Sequence, residues 1–253
     1  MRKERIKMND YDYEYSQSYV DDVSFANDVY EDKSIALNKA IYQSFGFMFA
    51  ALLITAFAAF TTRPENAIRI LAGGKYIVLL LAELAVVFIS NIAIKKNNVV
   101  LAGIMYTIYS YLTGYICSVL FVLYSATSIG YTFIACAATF GVMAVIGLTT
   151  KRELNTLGSY CIMGLVGIII ASAVNIIFIH SWGFDFIVTI VAILVFVGLT
   201  AYDVRKTKEY VMYANENELV GVSMFCGFQL YLDFINLFLR LLRILGGSKG
   251  SRK

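Results

Sequence analysis

Three acidic side chains stand inside runs that are otherwise apolar: Glu83 in LLLAELAVVF, Asp203 in VFVGLTAYDVRK and Asp233 in LYLDFINLF. An ionisable group at membrane depth is expensive, so it faces a protein interior or a water-filled cavity, and three acids on three helices suggest a cation or proton route. Any two such carboxyls brought close cannot both ionise cheaply, so a proton bridges them and they titrate as a pair. Loss of that proton leaves two repelling anions, an oxygen cage of the kind a hard cation such as calcium prefers. The chemistry expected is that of a pH switch.

The neighbours of each acid leave alternatives open. Gln229, Asp233, Asn236, Arg240 and Arg243 are spaced by 4, 3, 4 and 3 residues, one stripe of a helix, with Leu232, Phe234, Phe238 and Leu239 left for apolar packing. The candidate partners of Asp233 are Asp203, Asn236, Arg240 and water, and a purely structural aspartate neutralised by Arg240 is the competing reading. Asp203 shares a stripe with Thr189 and Thr200 and is followed by Arg205 and Lys206, so an interfacial aspartate paired with either base competes there. Glu83 has Ser90 and Asn91 on roughly the same side.

The elements that position these residues follow from the apolar runs. In 253 residues, 59% are hydrophobic, 15% are charged and one is proline, a composition outside the range of soluble domains. Runs at 40–60, 76–94, 99–124, 128–149, 158–179, 184–203 and 219–245 are each long enough to cross a bilayer core of about 30 Å as helices. The expected class is therefore an all-α, multi-pass integral membrane protein with seven helices.

Charge sets the expected topology. With the amino terminus inside, 13 Lys and Arg fall on the inner side, Lys95 and Lys96 among them, against Arg63, Arg69 and Lys75 outside. Arg240, Arg243, Lys249, Arg252 and Lys253 oppose this bias if the seventh helix crosses fully, so that helix either re-enters or crosses against the rule. A formal net charge of +3, with the basic residues at the borders of apolar runs, argues against nucleic-acid binding.

Residues 1–39 carry nine Asp and Glu and include DYDYEYSQSYVDDVSF, a tract with no helical or strand period, and they read as a mobile acidic cytoplasmic tail. Residues 40–246 form the expected membrane domain, and 247–253 a basic tail. The first apolar run, starting near Ala40, is expected to act as an uncleaved targeting signal. Cys117, Cys136, Cys161 and Cys226 all lie in apolar runs and read as small buried helix residues.

The sequence resembles a known family. LYLDFINLFLRLLRILG is similar to the last helix of the transmembrane Bax inhibitor motif (Bax inhibitor-1-like) family, SIGYTFIACAATFGVMAVIGLTTKRELNTLGSY to its helix four running into helix five, and GLTAYDVRK to its helix-six motif. The resemblance implies a seven-helix bundle with helix seven central and a pH-sensitive calcium leak activity. Residue by residue, it implies that Asp203 and Asp233 are the proton-sharing sensor and that Glu83 lies in the pore; from the residues themselves we add Gln229 and Asn236 to the ion route and transient calcium at the two aspartates. Arg240 and Arg243 would balance charge. Lys95 and Lys96 are the nearest bases where some relatives place a helix-two arginine.

Expected partners are the lipid bilayer, calcium ions and protons, with no cofactor beyond calcium as the permeant ion and no enzymatic activity. A bacterial plasma membrane is the expected location. The competing class is a non-conducting regulator, a cell-death suppressor or a modulator of a membrane-bound AAA protease, acting through the acidic tail and a loop at 206–218. An intramembrane aspartyl protease would need Gly-x-Gly-Asp where this chain reads LYLD, and a Pro-Ala-Leu motif that Pro64 cannot supply. A retinal protein needs a lysine in helix seven, and a zinc hydrolase more histidines than His180 alone.

Overall fold

Apolar runs of 19 or more residues with no internal proline leave the backbone in a bilayer no alternative to helix, since every amide must be paired within the segment. The computed structural model describes residues 10–63, 65–66, 68–69, 75–96 and 98–247, and among them it is helical with no strand. Seven long helices follow in order: α1 (Asp10–Thr61), α2 (Lys75–Lys95), α3 (Val99–Cys117), α4 (Ala126–Thr149), α5 (Asn155–Val174), α6 (Trp182–Tyr213) and α7 (Leu219–Leu245). The chain divides into two units, Met1–Lys39 and Ala40–Lys253.

Among the described residues, six helices are long and apolar enough to cross a membrane, and α2 contributes a shorter apolar stretch, Leu81–Ser90. Helix starts are marked by side-chain caps that accept otherwise orphaned amides. Asn98 caps α3 through Leu101 N at 3.0 Å, Ser125 caps α4 through Ser128 N at 3.1 Å, and Ser181 caps α6 through Phe184 N at 3.3 Å. Between α5 and α6, a π-helical turn at Asn175–Ile179 ends at His180, whose φ of 52° is left-handed, and Asn175 braces the turn through Ser181.

Three sequence expectations change. The tract DYDYEYSQSYVDDVSF shows no helical period in sequence, yet it lies within the helix Asp10–Thr61. The loop expected at 206–218 is helix as far as Tyr213, because Arg205 and Lys206 both reach Glu209 one turn on and no glycine or proline interrupts. The seventh helix has no break of the kind a re-entrant turn needs: α7 runs unbroken from Leu219 to Leu245, is long and apolar enough to cross a membrane, and ends at Tyr124, beside the turn joining α3 to α4, and at Asp185 near the start of α6. Lys249, Arg252 and Lys253 lie outside the described residues.

Burial separates the helices. In α7, 67% of the most apolar stretch is enclosed by protein, against 11% in Asn155–Ile179, so α7 packs on helices while α5 turns most of its surface outward. The exposed Phe, Ile and Val side chains of the other helices suit hydrocarbon rather than water. Close approach to α1 is possible because Gly227 has no side chain: a Cβ there would meet Ser44 O at 2.6 Å and Phe47 Cβ at 2.8 Å.

Candidate functional site

Helices α6 and α7 lie antiparallel, with Val204, Thr207 and Val211 of α6 buried, as are Ser223, Met224 and Cys226 of α7. Tyr210 and Phe225 pack edge to face across this hairpin at 6.0 Å. Asp203 stands 21 residues after Trp182, about 32 Å along α6, one bilayer core from its start. The part of α6 beyond it and the start of α7 thus form a helical hairpin that extends past that depth, which is why Asp233, in the middle of α7, can share the level of Asp203.

The two carboxyls meet: Asp203 and Asp233 are within side-chain hydrogen-bonding reach of each other. Asp233 is 5% exposed, and among the described residues its Oδ2 has no hydrogen-bond donor. Ionised carboxylates only accept, so this contact becomes a hydrogen bond only when one of the two carries a proton. Around the pair lie the thiols of Cys161 from α5 and Cys226 from α7, and Thr207 donates to Asp203 O at 2.8 Å. All four cysteines are free and buried.

The bases expected near the pair are engaged elsewhere. Arg205 reaches Glu209 at 3.7 Å and donates to Thr150 O at 3.1 Å, and Lys206 reaches Glu209 at 3.4 Å, so the reading of Asp203 as their interfacial partner does not hold. Arg243 pairs with Asp185, far from the dyad. Arg240 is half-buried with an interaction of its own. Lys96 is exposed, and the side chain of Lys95 lies outside the described residues. Gln229 is half-buried, and Asn236 donates to Leu232 O at 2.8 Å, satisfying its own helix.

Glu83 is not part of this pair. It is half-buried on α2 and accepts from Thr113 Oγ1 of α3 at 2.7 Å, with Tyr109 and Cys117 beside it. Thr113 is also within reach of Tyr231 of α7, whose hydroxyl meets Thr55 Oγ1 of α1 at 2.7 Å, and Thr55 donates to Ser110 O at 3.0 Å. Tyr231, Thr55 and Thr113 were not anticipated as site residues. The available signal was Tyr231 itself, because a tyrosine buried in an apolar helix needs a partner for its hydroxyl.

Among the described residues, no group of three or more His, Cys, Asp or Glu could hold a metal ion. The dyad offers two carboxyls, fewer ligands than the six to eight oxygens calcium takes, so protein alone would not complete a coordination shell there.

Comparison with known proteins places the chain. The family model described as inhibitor of apoptosis-promoting Bax1 matches residues 37–250. The chain is 38% identical over 213 residues to the inner membrane protein YbhL of Escherichia coli K12, covering 82% of this chain and 91% of that protein. It is 38% identical over 217 residues to the uncharacterized protein RP147 of Rickettsia prowazekii, covering 84% and 91%, and 39% identical over 214 residues to an uncharacterized protein of Borreliella burgdorferi, covering 83% and 92%. With its apolar helices and this match over most of its length, the chain is a multi-pass integral membrane protein of the Bax inhibitor-1-like family.

Proposed function

We propose that the chain is a pH-sensitive calcium leak of the plasma membrane, with seven spans, α7 at their centre and the amino terminus in the cytoplasm. The observation that carries the reading is the meeting of Asp203 and Asp233, two carboxyls from different helices, the first half-buried and the second buried, with no donor supplied to Asp233 Oδ2. A bridging proton holds α6 and α7 together there. Its loss places two like charges in contact in a low dielectric, and their repulsion is relieved by separation or by a cation.

Calcium is the cation proposed, held transiently by the two carboxylates and completed by water. Glu83 lines or neighbours the route, with Gln229 and Asn236 on the stripe of Asp233, and Arg240 and Arg243 balance charge toward the far end. The reading needs no cofactor and no enzymatic step. The α2 bases Lys95 and Lys96 contribute inner-side charge and no latch on the dyad.

Calcium entry into dye-loaded liposomes holding purified protein tests this, from about pH 5 to 8, for the wild type, Asp203→Asn and Asp233→Asn. Flux that responds to pH in the wild type and not in either variant supports the gate. Flux no greater than in empty liposomes at every pH would favour the regulatory protein, acting on a membrane-bound protease or other partner.

A further inference from the structure

Tyr231 and Asp233 are two residues apart on α7, about 200° around its axis, and so serve opposite faces of one rigid element. Tyr231 is fully buried, its ring set edge to face with Tyr106 at 5.9 Å and Tyr109 at 6.1 Å. The same stretch of α7 is tied to α1 and α3, since Tyr106 Oη lies 3.2 Å from both Phe47 O and Gly227 O. A movement of α7 on the Asp233 side therefore reaches Tyr231.

The hydroxyl protons on that side can be counted. Thr55 gives its one proton to Ser110 O, so Tyr231 is the donor in its contact with Thr55. Thr113 gives its one proton to Glu83 Oε1. While Glu83 is an anion, Thr113 has none left for Tyr231. Once Glu83 takes a proton it becomes a donor to Thr113, and Thr113 can turn its own proton onto the oxygen of Tyr231 or of Tyr109, both within its reach. The row thus has two directions, chosen by Glu83, and it ends on the helix that carries Asp233.

We propose that Tyr231 is the positioning residue that couples Glu83 to the Asp203 and Asp233 pair, so that the proton state of each biases the other through α7. The inference deepens the leak reading and rests on it for its consequence, that the two acids act in concert. Coupling of this kind is reciprocal. The groups that face Glu83 are Tyr109, Thr113 and Cys117 of α3, and those that face Tyr231 are Tyr106, Tyr109, Thr113 and Cys117 of α3 and Thr55 of α1.

Infrared difference titration of the full chain in liposomes tests this, with the Glu83 carboxyl band assigned by its loss in Glu83→Gln. Asp233→Asn is expected to move the midpoint of the Glu83 band by about one pH unit, and to leave it unmoved when Tyr231→Phe is also present. Tyr231→Phe keeps the ring and removes only the oxygen, so it preserves the packing. An equal shift with and without the hydroxyl, or no shift in either background, overturns the proposal. Calcium flux is measured on the same liposomes. Loss of coupling with pH-gated flux intact defeats this inference alone, whereas coupling without flux defeats the leak reading alone.

Discussion

Asp233 and Tyr231 are buried in the same helix, two residues apart, yet their surroundings differ in proton count. On one face two acceptors confront each other with no donor for Asp233 Oδ2, whereas on the other each hydroxyl proton of Tyr231, Thr55 and Thr113 has an acceptor. A satisfied network rigidifies a core, and a donor-deficient one is completed only by something from solution. The comparison separates the face where this bundle is held in shape from the face where the proposed response to pH or a cation would act.

The largest break in the comparison is expected from Asp233→Asn, which supplies an amide donor and makes the dyad face as complete as the other. Calcium flux in liposomes should then vary by less than about twofold between about pH 5 and 8, because no shared proton remains to be lost. On the anchored side, Gly227→Leu drives a side chain into Ser44 and Phe47 and should cost about 1–3 kcal/mol in detergent unfolding. Gly130→Ala is its control, since nothing lies within 4 Å, and its unfolding midpoint should stay unchanged or rise.

A smaller loss, about 1 kcal/mol, is expected for Tyr231→Phe, which leaves Thr55 and Thr113 without one neighbour each. The smallest is at the far end of α6 and α7. Arg243→Ala should change stability by less than about 1 kcal/mol and lose even that effect in high salt, because this ion pair has an arginine half exposed at 48%. A large effect there would show that the end of α7, and not its middle, sets the position of the helix.

Much of the fold was legible in local sequence. The length and apolarity of the runs identify six helices able to cross a membrane among the described residues, and Ser125, Ser181 and Asn98 mark helix starts through short-range caps. Less legible was where helices end beyond the apolar runs, since Glu209 prolongs α6 through polar pairs that hydropathy does not register. Within the site, the three acids stand out by type alone. Thr55 and Thr113 do not, because Ser and Thr hydroxyls are common in apolar helices and bond within their own turn, as Thr200 does to Phe196 O, and Tyr231 signals only that its hydroxyl needs some partner.

By itself the sequence determined that this is a multi-pass helical membrane protein with acids at depth, because a bilayer leaves a long apolar run little choice of structure. Tertiary structure alone decided which acids meet. Asp203 and Asp233 are 30 positions apart and become partners through the antiparallel packing of α6 on α7. Glu83 is drawn instead to Thr113, and Arg243 to Asp185. Spacing along one helix tells which side chains share a face, and the rotation and depth of its neighbours decide what that face will touch.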